Sequence, residues 1–230
     1  MARPSTRRAL KRAGLAPEPR APRGPRRNRG VPPPPLVRLP GEPEEPPPVD
    51  FAALFGRTAP VEMEIGVGKA RFLLTEAAAH KERDFFGIEL QSEYARIAQA
   101  KADKLGLTNV RVARLDGKAF VASRLAPASL DVLHVFFPDP WPKKRHHKRR
   151  LVDASFARAA ATALKPGAIL RVASDHAEYW AAMVEALDGE PLLSRVPEPE
   201  TGPWTSGTDY ELKFTKGGKP IGRGIWRRAR

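Results

Sequence analysis

Between residues 130 and 137 the chain reads Leu-Asp-Val-Leu-His-Val-Phe-Phe, and this almost unbroken apolar run constrains the fold more than any other feature. A strand with one wet face alternates apolar and polar residues. A strand this apolar needs cover on both faces, as in sheets flanked by helices above and below. The flanking segments agree. Val61 to Gly66, Phe85 to Leu90, Val110 to Leu115 and Ala168 to Ala173 read as four further short strands. Helical patterns fall at Lys69 to His80, from an N-cap at Ser92 to Leu105, at Arg150 to Leu164, and at Asp175 to Leu187, with Lys165-Pro166-Gly167 as a breaker. This alternation predicts an α/β fold of right-handed βαβ units around a mostly parallel sheet. At the end, Tyr210 to Thr215, a Gly217-Gly218 turn and Ile221 to Trp226 predict a C-terminal antiparallel hairpin.

The pattern starts only at Phe51. Residues 1–50 hold 14 of the 25 prolines and 11 Lys+Arg against 5 Asp+Glu. Runs such as Pro32 to Pro35 favour extended polyproline geometry, and few large apolar residues offset the entropy of ordering. A disordered Pro/Arg-rich extension over 1–50 and a folded domain over 51–230 are therefore expected. The formal charge of +14 raises the expectation of an anionic partner. The absence of cysteine excludes a disulfide framework, a Cys-liganded zinc and a thiol nucleophile. No apolar run has the roughly 18–20 residues of a membrane span. The basic start has no apolar core of a secretory signal, so a cytoplasmic location is expected.

In open α/β sheets, ligands bind outside the carboxyl ends of the strands. After the first strand stands Glu64-Ile65-Gly66-Val67-Gly68, where glycines let a ligand approach the backbone. After the second comes Glu89, 21 residues past Gly68, suited to accept from both hydroxyls of an adenosine ribose. After the third comes Asp116, which can accept from an adenine amine. A nicotinamide dinucleotide and S-adenosylmethionine compete for this constellation. The dinucleotide fingerprint wants a third glycine where Arg71 stands, and Glu64 repels a pyrophosphate but suits an ammonium group. The methyl donor is the better match.

The fourth strand runs into Pro138-Asp139-Pro140-Trp141, placing Asp139 at the central cleft between two prolines that stiffen it. Lys143 to Arg150 follows, with six cations and two histidines. Fused to the cleft loop, this run points to RNA or another phosphate partner. His146 and His147 read as RNA contacts, since no third metal ligand is near them in sequence. No metal is expected.

Glu64-Ile65-Gly66-Val67-Gly68-Lys69, Gly87-Ile88-Glu89, Phe137-Pro138-Asp139-Pro140-Trp141 with its basic run, and Thr208-Asp209-Tyr210-Glu211 together resemble the bacterial tRNA (guanine-N7-)-methyltransferases. The resemblance spans residues 58–228. It implies a Rossmann-like seven-stranded S-adenosylmethionine-dependent methyltransferase fold acting on N7 of guanine 46 in the tRNA variable loop. It implies donor contacts from Glu64, Glu89, Asp116 and Asp139 around the Gly66 and Gly68 loop, with Asp139 also catalytic. It further implies substrate contacts from Lys143, Asp175, Thr208, Asp209, Tyr210 and Glu211, and RNA contacts from Arg145, His146, His147, Lys148, Arg149 and Arg150. Two residues depart from the pattern: Ala70 stands where many members have glycine, and Asp209 puts a negative charge in the substrate motif.

The implied chemistry is physically modest. Guanine N7 has a free lone pair, so no strong base is needed; orientation does most of the work and can supply up to about 7–11 kcal/mol. The ring becomes cationic, and a carboxylate such as Asp139 or Asp175 favours that charge. The base must be unpaired or splayed out to be reached. Two alternatives compete. A methyltransferase for an exocyclic base amine commonly has an acid or amide followed by Pro-Pro and an aromatic, which Asp139-Pro140-Trp141 does not match. A non-catalytic RNA-binding protein leaves Gly66, Gly68, Glu89 and Asp116 without a shared purpose. Oligomeric state, monomer or homodimer, stays open.

Overall fold

A computed structural model describes residues 47–197, 207–218 and 220–230. Most of the extension expected over residues 1–50 lies outside these. Its last four residues are described, and they are tied to the domain: the Val49 amide donates to Arg124 O (2.8 Å), and Arg124 Nε donates to Pro47 O (2.9 Å).

The elements in order are α1 (Phe51–Phe55), β1 (Val61–Ile65), α2 (Arg71–Ala79), β2 (Asp84–Glu89), α3 (Ser92–Lys104), β3 (Val110–Arg114), α4 (Gly117–Ser123), β4 (Leu130–Phe136), a 3-10 helix (Lys144–Arg149), α5 (Ala154–Ala163), β5 (Leu164–Ser174), α6 (Ala177–Asp188), β6 (Leu193–Val196), α7 (Asp209–Lys216) and β7 (Gly222–Arg228). The sheet has seven strands in the order β3-β2-β1-β4-β5-β7-β6. Strands β1 to β5 are parallel, and β7 is antiparallel to both β5 and β6.

Each face has its own apolar layer. Met63, Ile65, Phe86, Ile88, Leu133, Val135, Leu170 and Val172 point to one side and pack with residues of α1, α4, α5 and α6. On the other, Phe85 and Val110 pack with Leu73, Leu74 and Ala77 of α2 and Ala98 and Ala102 of α3. Strands between two such layers are apolar at nearly every position, as the run in β4 requires.

The fold class expected from sequence is present, with local differences. The C-terminal antiparallel pair exists, but its arms are β6 and β7. Tyr210 to Thr215, expected as its first arm, is helical: Thr208 Oγ1 accepts from the Glu211 amide (3.1 Å) and Glu211 Oε2 from the Gly207 amide (2.9 Å). Such reciprocal capping starts a helix. Lys165-Pro166-Gly167 interrupts a strand instead of separating a helix from one. Leu130 pairs with Leu164 and Val132 with Ile169, so the breaker bulges within β5. The helix expected from Arg150 begins at Ala154, capped by Asp153, and α3 has Gln91 rather than Ser92 at its cap. Helices α1 and α4 were too short for their periodicity to register.

The connections move outward from β1 through β2 to β3, then return to β4 on the other side of β1. The chain leaves the carboxyl ends of β1 and β4 in opposite directions and opens a crevice between them.

Candidate active site

The loop after β1 owes its shape to backbone conformation. Gly66, Gly68 and Ala70 all have positive φ (81°, 51° and 57°). Glycine reaches this region without the steric penalty that an L side chain meets there. A Cβ on Gly66 or Gly68 would touch nothing within 4 Å, so their surroundings are open. The Gly66 and Val67 amides donate to Ile88 O, and the Gly68 amide donates to Glu89 Oε2 (2.9 Å). From below, Lys101 Nζ holds Lys69 O at 2.8 Å. Ala70 is fully buried, and its methyl group joins the layer beneath α2.

Two carboxylates on β1 share one face and differ in their surroundings. Glu62 is answered by His134 Nε2 (2.9 Å) and Arg83 Nη1 (2.6 Å). Although burial opposes ionisation, these partners hold its pKa down to about 2. Glu64 is 2% exposed, and its Oε2 finds no partner among the described residues. Burial pushes its pKa up to about 8, with the charge of Glu89 adding to this and the Leu73 amide opposing it. A buried carboxyl with an unused acceptor is costly unless something binds it, and beside an open glycine loop it suits a cationic group.

Glu89 is nearly buried and uses both oxygens on the backbone, accepting from Gly68 N and from Gln91 N (2.8 Å). Asp116 is exposed and caps α4 by accepting from Ala119 N (3.0 Å) through Oδ1. The sequence reading missed Gly117 beside it. A Cβ there would lie 2.3 Å from Ile65 Cγ2, so only glycine lets α4 start against the end of β1.

On the far side of the crevice, Asp139 is exposed in the loop after β4. Besides the two prolines, two non-glycine residues with positive φ bracket it, Phe137 (51°) and Trp141 (44°). Such conformations cost on the order of 1–3 kcal/mol each and persist where neighbours enforce them. Phe137 stacks on Tyr210 (centroids 6.2 Å apart) and meets Phe214 (5.7 Å). Trp141 meets His146 edge-on (5.8 Å), and the Arg149 guanidinium lies 5.0 Å from its ring.

Arg150, expected among the RNA contacts, turns inward. It is 6% exposed, donates to Pro140 O (2.9 Å) and Glu178 Oε1 (3.1 Å), and lies over the Tyr179 ring. It braces the Asp139 loop. The remaining run presents Lys143, Lys144, Arg145, Lys148 and Arg149 to solvent, with His146 and His147 half-buried. Partial desolvation and then the cations around it, Arg149 first, hold the His146 pKa below its ordinary value.

The substrate motif divides as well. Thr208 and Glu211 are buried; they cap α7, and Glu211 also accepts from Arg223 Nε (2.8 Å). Asp209 and Tyr210 are exposed on its first turn, with Asp209 Oδ1 3.8 Å from Arg71 Nη1. Asp175 follows β5, beside the crevice; the cap of α6 is His176, which accepts from the Tyr179 amide. Among the described residues, no helix is long and apolar enough to cross a membrane, and no three His, Asp or Glu side chains gather as a metal site.

Residues 58–223 match a family described as putative methyltransferases. A protein of Chromohalobacter salexigens named tRNA (guanine-N(7)-)-methyltransferase is 40% identical over 176 residues, covering 76% of this chain and 72% of that protein. A protein of the same name from Cutibacterium acnes is 42% identical over 185 residues, covering 78% of this chain and 67% of its own. Among solved structures, the 16S rRNA methyltransferase KamB superposes with a TM-score of 0.53 at 14% identity, covering 78% of this chain and 93% of that one. The aminoglycoside resistance methyltransferase NpmB1 superposes at 0.51 with 16% identity, covering 78% and 92%. At such identities the likeness shows the fold alone.

Proposed function

Because the chain belongs to the family of bacterial tRNA (guanine-N7-)-methyltransferases, we propose that it transfers a methyl group from S-adenosylmethionine to N7 of guanine 46 in the tRNA variable loop, in the cytoplasm. The observation that carries this reading is the pairing across one crevice of a buried, half-unsatisfied Glu64 with an exposed, rigidly held Asp139.

The residues present fit the methyl donor. Glu64 has an acceptor oxygen for its ammonium group, the surroundings of Gly66 and Gly68 leave room for it, and Glu89 and Asp116 stand ready for ribose and adenine. Once bound, S-adenosylmethionine supplies an electron-poor methyl group on a sulfonium centre. The rest falls to the chain. Lys143, Lys144, Arg145, Lys148 and Arg149 hold RNA phosphates. Tyr210 offers a ring face to the base at the crevice mouth. Asp139 accepts hydrogen bonds from the guanine edge and favours the positive charge that grows on the ring. Asp175 is the second carboxylate on that side. No proton has to move before methylation, so positioning is the main contribution of the protein.

The test is methyl transfer to unmodified tRNA with mapping of the product. The expected product is N7-methylguanosine at position 46. Methylation of an exocyclic amine would replace the reading with the rival enzyme class, and RNA binding without transfer would replace it with a binding protein.

A further inference from the structure

The first turn of α7 is held at the crevice from two directions. Tyr210 lies against Phe137, at the end of β4. One residue earlier, Asp209 reaches Arg71, the first residue of α2 and the continuation of the glycine loop. Arg71, which stands where a dinucleotide loop has glycine, and Asp209, the acid that departs from the substrate motif, are therefore partners.

Neither residue is required by its own helix. The capping of α7 is done by Thr208 and Glu211, and Ala70 precedes α2 without a side-chain cap. Arg71 is in fact poorly placed for α2: a cation stands at the positive end of the helix, and the first turn has no acidic residue. Asp209 supplies the missing anion from another element, and its own place at the amino end of α7 is electrostatically favourable. The side chains are 56% and 50% exposed, so the pair contributes little to folding. What it does contribute is a link between the loop on the donor side and the helix on the acceptor side.

We propose that Arg71 and Asp209 form a clasp across the mouth of the crevice that fixes the distance between the donor loop and the base-facing turn of α7. The proposal rests on the methyl-transfer reading for its kinetic effect, but not for its structural one. Both are positioning residues. The ion pair is exposed and screened by salt, so the clasp weakens at high ionic strength.

The test is a charge-swap series: Arg71→Gln, Asp209→Asn, and the double variant Arg71→Asp with Asp209→Arg. In the free protein, amide hydrogen exchange in the first turn of α7 is expected to rise in each single variant and to fall back in the swap. In the tRNA assay, each single variant is expected to raise the KM for tRNA about two- to fivefold at low salt, as befits an exposed ion pair. The swap is expected to restore it, while kcat changes little and the single-variant defects shrink as salt is added. If Asp209→Asn tightens tRNA binding and the swap is worse than either single variant, Arg71 is a phosphate contact that Asp209 opposes, and the clasp is wrong. Unchanged exchange in all variants also overturns it. An inactive wild type with the expected exchange pattern would remove the methyl-transfer reading and leave the clasp standing.

Discussion

Glu64 is the residue whose state depends most on what occupies the crevice. Its folded pKa, about 8 against 4.5 for a free side chain, means that the folded protein keeps a proton there that the unfolded chain gives up. The sign follows: this group's contribution to stability declines as pH rises from about 4.5 to about 8. A cationic ligand reverses the shift by favouring the carboxylate. Binding of S-adenosylmethionine at pH 7 is therefore expected to release protons, measured by calorimetry in buffers of different ionisation heat, and Glu64→Gln is expected to abolish the release. Heats that do not depend on the buffer would refute the assignment of the ammonium group to Glu64. Asp139 predicts the complementary result. It is exposed and bears no cap, so Asp139→Asn is expected to leave the melting temperature unchanged while turnover falls by about 10²–10³-fold, the usual scale for one lost electrostatic contact to the reacting group. The placement of Glu64, Glu89 and Asp139 was legible in the sequence because each stands at or just after the end of a strand. The inward turn of Arg150 was not legible. Nothing in a run of six cations tells which one meets a carbonyl ten residues back and a tyrosine ring 29 residues ahead.

At the scale of elements, α7 shows how a short segment can be misread. Tyr210-Glu211-Leu212-Lys213-Phe214 alternates like a strand, yet Tyr210 and Phe214 also have the four-residue spacing of a helix face, and their rings approach to 6.1 Å. Thr208 and Glu211 decide between the two, by capping and by the tie to Arg223. Thr208→Ala is therefore expected to cost about 1 kcal/mol, concentrated in α7. It should raise the KM for tRNA and leave donor affinity, measured separately by calorimetry, as it was; an equal loss of donor affinity would mean that α7 belongs to the donor site instead. The loop after β4 is a second case. Its prolines were visible in the sequence as stiffeners, but the positive φ at Phe137 and Trp141 was not. That strain is sustained by rings from α7 and from the basic helix, contacts that no local pattern encodes.

For the whole molecule, the charge of +14 predicts how tRNA is held. Affinity is expected to fall by roughly 0.7–0.9 log units per log unit of salt for each phosphate contact. Arg145→Ala should reduce that slope by about one contact, and Arg150→Ala should instead lower thermal stability with the slope intact. Filter binding over a salt series distinguishes them, and equal slopes for both variants would contradict the inward role of Arg150. The fold class was legible from five apolar strands separated by helices, and so was the reversal of the last strand, but its partners β5 and β6 were not, since these pairings join distant segments. That order also divides labour along the chain. Glu64, Glu89 and Asp116 all precede β4, whereas Asp139, the basic helix, Asp175 and α7 all follow its start. On the proposed assignment, most of the donor site is written before β4 and the target site after its start, with Asp139 serving both. On that assignment, substitutions confined to the segment after β4 would alter the target while leaving Glu64, Glu89 and Asp116 as they are.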